Sequence, residues 1–200
     1  MIDRDNGRMT SNQLRLFGSG PALPDGFKYQ PDIMTPAVEQ SLLQRIKDLP
    51  LREVEFHGYV AKRRVISYGW QYDFTKGTLR KTEDIPPFLL PLRELTAGFA
   101  GISADELQQV FVTEYDAGAG IGWHRDKAVF SDVIGISLLS SCHFRMRRKL
   151  GTAWERASIT ADARSIYLLR GPSRTEWEHS IPAVESRRYS ITFRNFREAP

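Results

Sequence analysis

Apolar positions along the chain fall into two regimes. In the first half they recur with helical spacing twice. Thr35 followed by Pro36 reads as an N-cap with proline in the first turn, and Val38, Leu42, Leu43, Ile46 and Leu49 make one face of a helix that ends at Pro50. A second helix is predicted from about Pro87 to Ala100, with Leu89, Leu92, Leu95 and Phe99 inward. Beyond it the pattern changes to short strand-like runs, "QVFVTEY", "VIGISLL", "HFRMRR", "SIYLL" and "RRYSITFRNF", separated by Gly, Pro or charged turns. Two helices followed by many short strands predict an α+β protein whose later half is a β-sandwich or barrel.

The first dozen residues read as disordered. "LRLFGSGPALPDGFKYQPDI" follows as an extended, turn-rich lead-in that lays Leu14, Leu16 and Phe17 on the core. Between Arg52 and Phe74 the pattern is basic and aromatic: "HGYVAKRRVISYGWQYDF" sets Lys62, Arg63 and Arg64 among Tyr59, Tyr68, Trp70, Tyr72 and Phe74, which suits a hairpin or flap. The expected organisation is a flexible or extended lead-in over 1–25, a helical buttress and flap over 26–105, and the main core over 106–200. A length of 200 residues suits one globular unit.

Composition narrows this picture. A net charge of +4 suits a phosphate-rich partner, although charge alone says no more than that the protein is basic. Cys142 is the only cysteine, which excludes an internal disulfide and a Cys-rich zinc site and fits a reducing, cytoplasmic setting. It lies beside an apolar run and reads as a small core residue. The start "MIDRDNGRMTSNQ" has no apolar segment of the signal-peptide kind, and no run is long enough to cross a bilayer, so no membrane partner is expected.

The chemistry centres on "GWHRDKAVFSD", where a histidine and an aspartate stand two residues apart. On a strand, His124 and Asp126 would project the same way, with Arg125 opposite. Such a pair needs a third ligand, and His143 and His179 are the candidates. His143 stands among arginines and reads as a polar residue on a sheet surface. His179, in "EWEHSIP", has Trp177 two residues back to shield the same face from water. Two histidines and a carboxylate leave open positions on octahedral Fe(II), and the same ligand types also hold zinc. In "RRYSITFRNF", Arg188, Ser190, Thr192 and Arg194 share one face, and Tyr189, Ile191 and Phe193 form a core stripe on the other. Two guanidinium forks on one face suit a small dicarboxylate.

Taken together, Tyr115, Gly118, His124-x-Asp126, "RTEWEHSIP" and "RYSITFR" resemble the AlkB family of Fe(II)- and 2-oxoglutarate-dependent dioxygenases. The family's closing motif, R-x-N-x-T-F-R, is matched by residues 188–194 except at Ser190, and Thr113 stands where its N-x-Y motif has asparagine. The resemblance is clear over about 110–197 and weaker upstream, where "KRRVISYG" is similar to the family's substrate-flap segment. It implies a double-stranded β-helix, or jelly roll, buttressed by N-terminal helices. It further implies His124, Asp126 and His179 as metal ligands and catalytic centre. Arg188, helped by Tyr115, would take the distal carboxylate of 2-oxoglutarate, with Arg194 near Asp126 and the Thr113 and Ser190 hydroxyls in place of the amides.

The implied reaction consumes dioxygen (O2) and 2-oxoglutarate and oxidatively demethylates N-alkylated bases in nucleic acid, releasing succinate, carbon dioxide and formaldehyde. Lys62, Arg63, Arg64, Arg145, Arg147 and Arg148 are candidates to hold phosphates, Tyr68 or Trp70 to stack on the base, and Trp123 and Trp177 to wall the metal. A protein substrate such as methyl-lysine is the alternative, and a non-catalytic nucleic-acid-binding module a third reading.

Overall fold

The computed structural model describes residues 23–56, 59–73 and 77–198. From the N-terminus these run β1 (Phe27–Gln30), α1 (Pro36–Lys47), β2 (Arg52–Phe56), β3 (Tyr59–Tyr68), β4 (Trp70–Asp73) and β5 (Thr78–Lys81). A 3-10 turn at Pro87–Leu89 leads into α2 (Leu90–Ala100). There follow β6 (Gln109–Tyr115), β7 (Ile121–His124), β8 (Phe130–Leu138), β9 (Cys142–Leu150), β10 (Ala153–Ala161) and β11 (Ser165–Leu169). A short helix, α3 (Pro172–Thr175), precedes β12 (Glu178–Ile181) and β13 (Arg188–Phe196). The expected core residues Leu14, Leu16 and Phe17, together with His57, Phe74 and the Tyr59 side chain, lie outside what is described.

The strands form a seven-stranded major sheet in the order β1-β11-β8-β13-β6-β3-β2 and a four-stranded minor sheet in the order β10-β9-β12-β7, with β4 and β5 paired as a separate hairpin. From β6 onward the chain passes back and forth between the two sheets, and neighbouring strands pair antiparallel. This is the expected double-stranded β-helix. Residues 26–105 contribute more than a helical buttress, because β1 extends one edge of the major sheet and β3 and β2 the other. Half of the expected flap is therefore sheet. No helix among the described residues is long and apolar enough to cross a membrane.

Two apolar cores result. One lies between the helices and the outer face of the major sheet, where Leu42, Ile46, Leu89 and Leu92 meet Val112, Ile136 and Ile191. The other fills the space between the sheets around Phe27, Phe144, Met146 and Trp177, and includes Cys142 as expected. Strands β8, β11 and β13 are buried on both faces, so they read as near-continuous apolar runs. Strand β10 was not foreseen, because its inward positions are mostly small alanines and the residues between them are exposed, so it shows no apolar run.

The Thr35 hydroxyl accepts the Val38 N–H as an N-cap, with Pro36 opening α1. Two inward assignments fail. Val38 is 49% exposed, and its neighbour Glu39 is buried instead. The Glu39 carboxylate accepts the N–H of Leu139 at 2.8 Å and pairs with Arg164, two residues with positive φ, so a charged group earns its buried place by fixing the β8–β9 turn. On α2, Leu95 is exposed, and the small residues Thr96, Ala97 and Ala100 face the sheet, letting the helix lie close to it.

Gly135, inside β8, lies opposite Tyr167, and a Cβ added there would come within 2.2 Å of the Tyr167 ring. Glycine inside a strand marks such a close approach. Gly135→Ala is expected to destabilise the fold by about 1–3 kcal/mol through overpacking, measured by urea unfolding. Unchanged stability would mean that the ring has room to move aside.

Candidate metal and co-substrate site

Alternation across the strands of the major sheet brings polar residues into rows on its inner face. Arg63, Tyr115 and Arg188 stand in register on β3, β6 and β13. The next row is Thr113, Ser190, Ser137 and Ser165, and the next Phe111, Thr192, Gly135 and Tyr167. The minor sheet faces these rows with Phe144, Ile121, Ile181 and the imidazoles of His124 and His179, closing a pocket between the sheets.

His124 and His179 lie directly opposite each other on β7 and β12, with ring centres 4.2 Å apart. Asp126 joins them by a route other than strand alternation. Strand β7 ends at His124, and Asp126 lies in the following loop. That loop is pinned from α3: Arg174, 4% exposed, donates to the carbonyls of Lys127 and Phe130, and Arg125 donates to the carbonyl of Thr175. One nitrogen or oxygen from each of His124, Asp126 and His179 falls within 4.8 Å of the others. The donor set, two imidazoles and one carboxylate, is that of an Fe(II) facial triad.

Protonation suits ligation. The Nδ1 of His124 lies 2.9 Å from the carbonyl of Gly122, the arrangement in which Nδ1 carries the proton and Nε2 keeps its lone pair for a metal. Burial, reinforced by His124, pushes His179 down to about 3 against the pull of Asp126, so its ring is neutral. Burial also opposes the charge on Asp126. Arg194 overrides it, aided by the Arg174 guanidinium, and holds the carboxyl well below the usual range. Arg194 Nε donates to Asp126 Oδ1 at 2.9 Å, while Oδ2 stands 3.6 Å from His179 Nε2, too far for a hydrogen bond and suited to two ligands of one ion.

At the far end of β13, Arg188 is 1% exposed and lies with its guanidinium carbon 4.8 Å from the centre of the Tyr115 ring. One nitrogen, Nη2, donates to the Ser137 hydroxyl at 2.9 Å. Its Nε and Nη1 are buried without an acceptor. Idle donors on a buried cation cost several kcal/mol unless an anion meets them. A carboxylate such as that of 2-oxoglutarate fits this end of the pocket, and the metal triad fits the other.

The chain matches the 2OG-Fe(II) oxygenase superfamily over residues 31–194. It belongs to that superfamily. It is 30% identical to the "Alkylated DNA repair protein ALKBH8 homolog" of Arabidopsis thaliana over 85% of its own length and 58% of the relative's. It is 24% identical to the "tRNA (carboxymethyluridine(34)-5-O)-methyltransferase alkbh8" of Xenopus tropicalis over 80% of its length, but only 26% of that protein's. Among solved structures, its fold is similar to that of OsALKBH1, with a TM-score of 0.65 and 13% identity over 87% of this chain and 98% of that one. It is also similar to a Pseudomonas putida prolyl-4-hydroxylase, with a TM-score of 0.57 and 14% identity over 87% and 94% of the respective chains. The oxygenases of this superfamily use Fe(II), 2-oxoglutarate and O2.

His124, Asp126 and His179 thus converge, Thr113, Tyr115, Ser190 and Arg194 line the same pocket with Arg63 in its wall, and Arg188 is buried against the Tyr115 ring outside that lining. Trp70 lies toward the metal end, its carbonyl accepting from Gln109, which itself accepts from Arg194. Lys62 is exposed beside the turn at Gly118. Other substrate assignments are corrected. Tyr68 is buried in the helix-facing core and offers no surface for a base. Arg64 points to the same side, where it pairs with Glu114 at 2.7 Å. Arg145, Arg147 and Trp123 stand on the outer face of the minor sheet, since Phe144 and Met146 take the inner positions of β9. Trp123 faces out because a register shift between β7 and β12 turns both Ile121 and His124 inward. Trp177 is buried between the sheets without lining the pocket, and Arg148 is paired with Glu155 and Glu176.

Sequence reasoning missed Tyr167, Ser137, Phe144 and Arg174. Phe144 stacks on His179 with ring centres 5.3 Å apart and fixes its plane. Asp126→Ala is expected to abolish tight Fe(II) binding, read by equilibrium dialysis, with circular dichroism unchanged. Arg188→Ala should weaken 2-oxoglutarate binding roughly 30-fold or more, read by calorimetry on the metal-loaded protein. Parent affinity in that variant would remove Arg188 from the co-substrate site.

Proposed function

We propose that the chain oxidatively demethylates N-alkylated bases in nucleic acid. The observation that carries this reading is the aromatic hairpin β4–β5 standing against the metal end of the pocket. The Trp70 ring meets Phe196 edge-on with centres 5.9 Å apart, and Lys127, next to the ligand Asp126, has its amine 5.1 Å from the centre of the Tyr72 ring. An aromatic surface and a cation beside a reactive centre suit a base taken out of its stack with its phosphate alongside. The names of the two relatives, alkylated DNA in one and carboxymethyluridine of tRNA in the other, both belong to nucleic acid.

His124, Asp126 and His179 would hold Fe(II), which with 2-oxoglutarate and O2 supplies the oxidising power for hydroxylating an N-alkyl carbon. In the balanced reaction an N-methyl group, O2 and 2-oxoglutarate give the N–H base, formaldehyde, succinate and carbon dioxide. The protein's own contribution is placement. Arg188 anchors one carboxylate of the co-substrate against Tyr115. Arg194 holds Oδ1 of Asp126 so that Oδ2 alone faces the imidazoles. Phe144, Ile121 and Ile181 exclude water from the space between.

The test is formaldehyde and succinate release from a single-stranded oligonucleotide carrying N-methylated bases, with Asp126→Ala as control. Stoichiometric release by the parent and none by the variant is the expected result. Turnover of methylated peptides with none of methylated oligonucleotides would replace this reading with a protein substrate.

A further inference from the structure

The outer face of the minor sheet, on the side away from the metal, carries a second concentration of charge and aromatic surface. On β9, Arg145 and Arg147 point outward; on β10, Trp154, Arg156 and Ser158 do so beside them. The register sets Arg147 opposite Arg156, and Arg145 opposite Ser158. On the other flank Glu178 and Ser180 of β12 oppose Arg147 and Arg145. Ser180 is small enough for the Trp123 indole to reach across from β7, so that Arg147 lies between two indoles, 4.3 Å from the centre of Trp123 and 4.2 Å from that of Trp154. Glu178 pairs with Arg147 at 2.7 Å.

Arg147 is thereby neutralised and holds two indoles in place. Its neighbours are not neutralised. Arg156 faces Arg147 directly across the strand pair, an arrangement of like charges that weakens a sheet, and among the described residues it has no side-chain hydrogen bond or ion pair. Arg145 has the Ser180 hydroxyl and the Trp123 ring, but no carboxylate. Between these two guanidinium groups lies a groove of about 350 Å³ walled by Trp123 and Ser158. Trp154, on the far side of Arg147 from Trp123, stays 41% exposed on the same face.

We propose that this face is a second contact surface for the nucleic acid, binding a single-stranded segment remote from the base under repair; it rests on the nucleic-acid reading above. Arg145 and Arg156 take phosphates, and Trp154 and Trp123 take unpaired bases. Aromatic side chains on an open four-stranded sheet, flanked by cations, are the general platform for single strands, where stacking tolerates any base and charge tracks the backbone. An acidic peptide would satisfy the arginines but leave the planar indole faces unused.

The experiment measures binding of a fluorescent single-stranded oligonucleotide across a salt series, using Arg145→Glu/Arg156→Glu and, separately, Trp154→Ala. The charge-reversed protein is expected to bind about tenfold or more weakly, with a salt slope lowered by about 1–2. Trp154→Ala should weaken binding about fivefold or more while keeping the parent slope. Turnover of a methylated trinucleotide, too short to span both faces, should stay at the parent rate and show that the variants are folded. If the parent turns over the long oligonucleotide and both variants bind it with parent affinity and slope, the second surface is overturned and the catalytic reading stands. If polyglutamate binds the face and the oligonucleotide does not, the occupant is an acidic protein and the proposal fails. A parent that neither binds nor turns over any oligonucleotide overturns both readings.

Discussion

The buried ion pair between Arg194 and Asp126 is the interaction on which the site depends. A carboxylate enclosed between two sheets would take up a proton, and a protonated acid is a poor metal ligand. Arg194 prevents this from the centre of the major sheet, reaching across the gap to a loop that follows a minor-sheet strand. Its guanidinium lies over Phe111 and Phe130, at 5.3 and 5.1 Å from their centres, so the cation is itself dry and strongly felt. Gln109 accepts from Arg194 and donates to the Trp70 carbonyl, which ties the β4–β5 hairpin to the same network. One side chain therefore charges the ligand, spans the two sheets and sets the neighbouring hairpin.

Strand alternation explains why catalytic and surface arginines can sit so close in sequence. On β13 the residues of one parity enter the pocket, and those of the other pack under the helices. Tyr189 belongs to the second set: burial, with its hydrogen bond to Glu114, pushes its phenol up to about 12, so it stays a neutral donor to the carboxylate that also holds Arg64. On β9 the same rule sends Phe144 and Met146 inward and Arg145 and Arg147 outward. Strand β7 departs from it, where a register shift against β12 puts Trp123 on the outer face although Ile121 and His124 both look inward. A single irregularity thus places an aromatic on the surface without moving a metal ligand.

A later half built as a β-sandwich or barrel was legible from apolar runs of strands buried on two faces, and the metal triad from H-x-D with a distant histidine in an apolar setting; the double-stranded β-helix itself came with the AlkB resemblance. What escaped rests on tertiary geometry. Tyr68 and Arg64 read as flap residues because basic and aromatic positions alternate there, yet β3 joins the major sheet and its alternation buries one and pairs the other. Glu39 interrupts an apolar helix face in sequence, and its partners Leu139 and Arg164 are known only once the turns are folded. Arg174 was visible within "RTEWEHSIP", but its role in holding the loop of Asp126 depends on α3 lying against residues 127–130. Gly135 carried a usable signal, a glycine inside a buried strand, which pointed to the close approach of Tyr167.

The two positions where the AlkB resemblance expects asparagine, Thr113 and Ser190, are adjacent in one row with Ser137 and Ser165. The pocket floor at this level is thus lined by the Thr113 and Ser190 hydroxyls, and Ser137 and Ser165 continue the row buried beyond it. A hydroxyl either donates or accepts and rotates to suit, whereas an amide presents fixed donors and an acceptor. Ser137 already uses its hydroxyl to accept from Arg188, which steadies the guanidinium while leaving two of its nitrogens for a ligand. Loss of the amides therefore shifts the work of recognition from neutral hydrogen bonds to charge. On the proposed reading, the co-substrate end of the pocket would rely on Arg188 for affinity and on the hydroxyls of Thr113 and Ser190 for accommodation, so that the buried cation, and not the altered motif positions, would decide whether a dicarboxylate is held.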